Sequence, residues 1–199
     1  MTGQGDGSFV LFKIKRRYAM ELIEGIKSRR SIRKFTDQPV TKELMEEIVD
    51  IARFAPSWKN TQSVRYMLIT DKAVKDRIAD EAVMGFEWNT KIIKGAPALV
   101  LLLTVDKRAG YERDGSESTS KGEHWQSFDA GIASEAFSLA AFAKGLGSVI
   151  LGVYDEAAVA GIVEIPEGQK VSALIPVGYP DEDPEAPKRK EVADLLTVK

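Results

Sequence analysis

Ala98-Leu99-Val100-Leu101-Leu102-Leu103-Thr104-Val105 carries seven apolar side chains in eight positions. A strand with one face in water alternates apolar and polar residues, whereas a strand covered on both faces reads as a continuous apolar run. This stretch therefore predicts a central strand with helices above and below it. The flanking sequence supplies both. Upstream, Leu44, Ile48, Ile51, Ala52 and Ala55 recur at helical spacing behind Thr41, a good N-cap, with Glu43 in the first turn and Pro56 as the stop. Asp71 caps a shorter helix carrying Val74, Ile78 and Ala82. Downstream, Asp129 to Lys144 holds Ile132, Ala133, Ala136, Phe137, Leu139, Ala140 and Ala143, an apolar arc too wide for a surface helix. Lys144-Gly145 suits its C-terminus. It reads either as a core helix or as one that packs against its own copy.

Three further strands are expected at Val64 to Thr70, Gly147 to Tyr154 and Val171 to Val177, with a helix capped by Asp155 before the last. Strands thus alternate with helices, without internal repeats. The fold class is α+β, an α/β sandwich with helices on both faces of a sheet.

The chain has 199 residues, 44% hydrophobic and 29% charged, which suits one globular domain. We place that domain at residues 20–199 and read residues 1–19 as an extension. Lys plus Arg (28) nearly balances Asp plus Glu (30), so the global charge gives no case for nucleic acid. The absence of cysteine excludes disulfides, thiol nucleophiles and Cys-ligated metals, and a single histidine, His124, excludes a multi-histidine metal site. The longest apolar run contains Pro97 and is too short to span a bilayer. Residues 9–17 place their basic side chains after the apolar ones, the reverse of a signal peptide. A cytoplasmic location is expected.

Two polar stretches stand out. Ser28-Arg29-Arg30-Ser31-Ile32-Arg33-Lys34-Phe35 concentrates three arginines, a lysine and two hydroxyls. Arginine presents a rigid, permanently charged fork suited to phosphate, and a serine hydroxyl adds a further bond. Arg29 and Arg33 would share one face of a helical turn. The stretch is a seat for a phosphate monoester or a solvated basic turn. Pro56-Ser57-Trp58-Lys59-Asn60-Thr61-Gln62 is a polar loop between helix and strand. Asn60 and Gln62 both donate and accept, as the edge of a heterocycle requires, although Ser57 and Asn60 also suit a plain turn. Gly152 removes a side chain where a flat ligand or another backbone could approach. Lys107 to Glu123 is a long polar segment of lid or binding-loop character. Trp58, Phe86, Trp88, Tyr111 and Trp125 line a pocket or cover the core. Asp106 ends a strand like a ribose-binding acid, but no Gly-x-Gly-x-x-Gly precedes it.

Arg29-Arg30-Ser31-Ile32-Arg33, Pro56 to Gln62 and Gly145-Leu146-Gly147 running to Gly152-Val153-Tyr154-Asp155 together resemble the nitroreductase family of FMN-dependent oxidoreductases. Ile175 to Pro180 is similar to that family's last core strand, and Asp129-Ala130-Gly131-Ile132-Ala133 to the start of its dimer helix. The resemblance runs from about Met20 to the C-terminus. It implies a central mixed sheet, an obligate homodimer with an exchanged C-terminal arm, and FMN at the subunit interface. By similarity, Arg29, Arg30, Ser31 and Arg33 hold the phosphate and ribityl end. Pro56, Ser57, Asn60 and Gln62 meet the flavin, in part from the partner subunit. Leu151 and Gly152 lie beside it, with a backbone N–H near N5. Arg189 matches a C-terminal basic residue that returns to the phosphate. The tail departs from the family's usual ending, and Val153 stands where many members have a second glycine.

The implied activity is NAD(P)H oxidation, with NADH or NADPH as donor, coupled to reduction of a small acceptor such as a nitroaromatic or quinone. The chain's lack of a nucleophile–His–acid set agrees with chemistry carried by a cofactor. Two alternatives stand beside it: another flavin reaction on the same scaffold, of dehalogenase or flavin-destructase type, and a non-enzymatic flavin- or nucleotide-binding module.

Overall fold

The structure, a computed structural model, describes residues 22–199. The extension expected over residues 1–19, and the start of the helix expected after it, lie outside the described residues. Four strands form one sheet: β1 (Val64–Ile69), β2 (Ala98–Val105), β3 (Gly147–Ser148) and β4 (Gln169–Gly178), in the order β1-β2-β4-β3. Neighbouring strands are antiparallel. A parallel pairing enters at the bridge between Ser31 and Ser148, outside the named strands. Around the sheet lie α1 (residues 22–28), α2 (Lys42–Ala52), α3 (Lys72–Glu81), α4 (Glu87–Gly95), α5 (His124–Ala143), α6 (Glu156–Ile162) and a short α7 (Val192–Leu195). Among the described residues no helix is long and apolar enough to cross a membrane.

β2 is an interior strand, as its apolar run requires. Successive side chains of a strand point to opposite faces, so β2 feeds two cores. Leu99, Leu101 and Leu103 belong to one with Ile78 of α3, Ile93 of α4 and Val159 of α6. Ala98, Val100 and Leu102 belong to the other with Met45 and Ile48 of α2 and Phe137 of α5. The three expected caps form: Thr41, Asp71 and Asp155 accept from the backbone N–H of Leu44, Val74 and Ala158. Each satisfies an N–H that the first helical turn leaves without a partner.

The sheet differs from expectation at its end. The strand predicted from Gly147 to Tyr154 is only Gly147–Ser148. The chain then touches β4 at two points, where Val149 N–H donates to Pro176 O at 3.3 Å and where Leu151 and Leu174 exchange bonds of 2.8 and 3.1 Å. Beyond them, the Asp155 N–H reaches Ala82 O at 2.8 Å and α6 begins, so the ladder cannot continue. Helix α5 starts at His124, five residues before the expected Asp129. Asp129 does not cap it, because its carboxylate is engaged elsewhere.

Candidate functional site

The basic turn is not helical. Helix α1 ends at residue 28, and the following backbone is drawn to the β3 edge, where Ile32 N–H donates to Ser148 O at 3.0 Å. Thr36 N–H donates to Tyr179 O, and the Asp181 N–H to Lys34 O. Ile32 and Phe35 are buried and anchor the turn from below. Gly147 makes this approach possible, since a Cβ there would lie 2.6 Å from Ile32 Cβ. The shared helical face expected for Arg29 and Arg33 therefore does not exist, and each side chain takes its own course.

Arg29 reaches α5 and pairs with Glu135 at 3.6 Å. Its Nε is buried and has no hydrogen-bond partner among the described residues. Arg30 turns back on α1 and donates through Nη1 to Lys27 O at 2.7 Å and Arg29 O at 2.9 Å. It acts as a cation at a helix C-terminus, a favourable place for one. Arg33 is exposed and donates weakly to Ser31 O. Glu182, which the sequence reading did not single out, accepts the backbone N–H groups of Arg33 and Lys34. An anion at this turn would thus be held by side chains rather than by those amides. Arg189 is exposed on the C-terminal arm and forms no ion pair with a described residue.

Leu151 and Gly152 divide their roles. Leu151 is buried and its N–H is engaged by Leu174 O. Gly152 is exposed, a Cβ there would meet nothing within 4 Å, and no described residue accepts its N–H. The corner is braced by Asn89 of α4, a buried residue whose Nδ2 donates to Val153 O at 3.1 Å. Sequence reading missed Asn89, because a lone Asn inside a helical pattern carries no signal of its tertiary partner. Beneath the corner, Tyr154 donates to Val171 O at 2.8 Å, and burial pushes its phenol up to about 12.

The loop from Pro56 to Gln62 forms a 3₁₀ turn over Trp58–Asn60. Lys59, Asn60 and Gln62 have φ of 42°, 55° and 49°. Residues other than glycine in this left-handed region carry backbone strain, which persists only where surrounding structure enforces it. Ser57 Oγ accepts the Gln62 N–H at 2.9 Å. Asp129 accepts the Trp58 N–H with both oxygens, at 3.0 and 3.1 Å, and the Ser63 hydroxyl at 3.3 Å. Asp129 is 2% exposed, and this burial raises its pKa against the lowering effect of those bonds. Pro56, Asn60 and Gln62 are exposed and Ser57 half-buried.

The long segment after β2 is fastened to this loop. Lys59 pairs with Glu112 at 2.7 Å, and the Trp58 and Trp125 rings lie 4.5 Å apart. Trp125 Nε1 donates to Thr119 at 2.9 Å. Trp58 and Trp125 thus pack on each other, while Phe86 and Trp88 are exposed. Asp106 is accounted for by Lys170 at 3.1 Å.

Fold and site together describe an α+β sandwich with an arginine-rich turn beside an open glycine corner. The nitroreductase family model matches residues 26–89 and 86–179, and the chain belongs to that family. A candidate NADH dehydrogenase/NAD(P)H nitroreductase of Methanothermobacter thermautotrophicus is 32% identical over 172 residues, covering 83% of this chain and 80% of its own. An iodotyrosine deiodinase of Thermotoga neapolitana is 28% identical over 186 residues, covering 83% of this chain and 92% of its own. A solved nitroreductase-like structure from Desulfovibrio desulfuricans, in complex with FMN, superposes with a TM-score of 0.70 at 27% identity. The match covers 89% of this chain and 95% of that one.

Proposed function

We propose that this protein is an FMN-dependent oxidoreductase that passes electrons from NADH or NADPH to small electron-poor acceptors, with nitroaromatics and quinones as the acceptor class. The observation that carries this reading is the bridge between Ser31 and Ser148. It sets the basic turn four residues from Gly152, a reach of at most about 14 Å. One elongated molecule with an anionic end and a flat end can touch both.

The residues present fit that molecule. Arg29, whose buried Nε makes no hydrogen bond to a described residue and meets Glu135 only at 3.6 Å, would hold the phosphate with Ser31 and Arg33. Charge-assisted bonds of this kind contribute roughly 1.5–3 kcal/mol each. Arg30 would stiffen the turn through α1. Gly152 leaves one face open to the ring, and its N–H would donate at N5. Asn60 and Gln62 would pair with the ring's polar edge, and Pro56 and Ser57 would shape the wall beside them. When bound, FMN would supply the redox chemistry, a reversible two-electron capacity that lets donor and acceptor react in separate half-reactions. Tyr154 is no acid at neutral pH, since its proton is held up to about 12 and directed at Val171 O. Protons for the acceptor would come from water.

The two halves of the site sit at opposite edges of the sheet. The basic turn lies on β3 and the Pro56–Gln62 loop leads into β1, at the other edge of the sheet. This supports a homodimer in which the loop of one copy completes the site of the other. Exposed apolar side chains agree: Leu22 is 60% exposed on α1 and Val192 and Leu195 are 72% and 70% exposed on the C-terminal arm. We read that arm as exchanged between protomers, bringing Arg189 to a phosphate. Residues 20–199 would form one cytoplasmic domain.

The test is the visible spectrum of the purified protein, before and after NADPH is added without oxygen. A flavin spectrum that bleaches supports the reading. A colourless protein that takes up no added FMN overturns it. The deiodinase relative favours one second reading, reductive dehalogenation on the same scaffold. Turnover of halogenated but not nitro-substituted aromatics would select it.

A further inference from the structure

Asp129 carries no charge partner among the described residues, although it is a carboxylate in the first third of a long helix and 2% exposed. It accepts three bonds, and all come from the loop that leads into β1. The Trp58 N–H lies at one end of the turn and the Ser63 hydroxyl at the other. The three left-handed residues Lys59, Asn60 and Gln62 fall between these two points. A turn with three strained residues relaxes unless its ends are fixed. Here one side chain of α5 fixes both ends, while Ser57 Oγ accepts the Gln62 N–H and the backbone closes the turn locally through Asn60 N–H to Ser57 O and Thr61 N–H to Trp58 O.

We propose that Asp129 is a positioning residue, which locks the Trp58–Ser63 turn in the conformation that presents Asn60 and Gln62 to the cofactor. The proposal rests on the reading that this turn meets FMN. Asp129 itself touches no ligand and acts through the turn. A carboxylate suits the role better than an amide, because it has only acceptor sites to offer the two donors. Burial without a cation is unfavourable to the charge, as the raised pKa reflects. A buried carboxylate whose ionisation the fold disfavours, yet which takes the donors at both ends of this turn, points to a function in holding geometry rather than in general stability.

The test is a double-mutant cycle on the affinity of the apo-protein for FMN, read by flavin fluorescence. If Asp129 acts through Asn60, Asp129→Ala weakens FMN by about tenfold, and adding Asn60→Ala to it weakens binding by no more than about twofold further. Asn60→Ala in the native background weakens binding by a larger factor than it does on top of Asp129→Ala. Asp129→Asn can still accept from Trp58 and donate to Ser63 Oγ, so it restores most of the affinity and serves if the alanine variant does not fold. Hydrogen exchange of the amides from Trp58 to Ser63 rises in Asp129→Ala while that of β2 is unchanged. Full additivity of the two substitutions, or unaltered exchange in the turn, overturns the proposal. Failure of the native apo-protein to bind FMN overturns the functional reading instead, and the exchange measurement then still decides whether Asp129 locks the turn.

Discussion

Arg29 and Arg30 are neighbours of the same type with different partners. Arg29 reaches α5 and keeps a buried Nε without a hydrogen bond, while Arg30 is engaged by the carbonyls of Lys27 and Arg29. Arg29→Ala should therefore weaken FMN by about tenfold or more, the loss of one charge-assisted bond. Arg30→Ala should weaken it less and lower the melting temperature instead, since a carbonyl contact at the end of α1 is lost. Equilibrium dialysis and thermal unfolding of the two variants separate these effects. The sequence showed that a cluster of arginines was present. It could not show which of them backbone carbonyls would engage, because that depends on where α1 stops and which carbonyls the turn exposes.

Between residues and the whole stands the contact of the basic turn with β3. Its closeness depends on Gly147, because Ile32 fills the place of any Cβ. Gly147→Ala should push the turn away from Ser148. The expected cost is roughly 1–3 kcal/mol, as for other insertions into a filled space, and FMN retention should fall although no phosphate contact is altered. Denaturant unfolding and flavin content after gel filtration would show both. Helix α5 acts on the same scale. Glu135 holds Arg29 and Asp129 holds Trp58 from positions six residues apart, about 9 Å along the axis. One rigid helix thus holds both the basic turn and the Pro56–Gln62 loop, the two halves of the proposed site. Its apolar arc was legible in the sequence as burial, but Asp129 read as its start, since an Asp before an apolar run is the ordinary sign of a helix N-terminus.

Across the whole molecule, the basic turn and the Pro56–Gln62 loop, the two halves of the proposed site, lie at opposite edges of the sheet. A second copy is the simplest way to bring a loop to a glycine corner. Removing residues 192–199 should convert a dimer to a monomer in light scattering, because Val192, Leu195 and Leu196 are exposed apolar groups that need a surface. Flavin should be lost in the same sample. A truncated chain that remains dimeric and yellow would show that the arm is not exchanged.

The sequence alone determined the sandwich, its interior strand and the three side-chain caps of its helices. These follow from periodicity and from side chains that act within three or four residues of themselves, as Thr41, Asp71 and Asp155 do. It also located the two polar stretches and the glycine, since those depend on residue type. Only the tertiary structure decided that β3 stops at Ser148, that Leu151 gives its N–H to Leu174 and leaves Gly152 open, and that Glu182 covers two amides of the basic turn. It likewise assigned Asn89 to Val153 and Asp129 to Trp58. Each of these bonds joins residues more than twenty positions apart. Such partners are selected by the way packed elements meet, which no local pattern in the chain records.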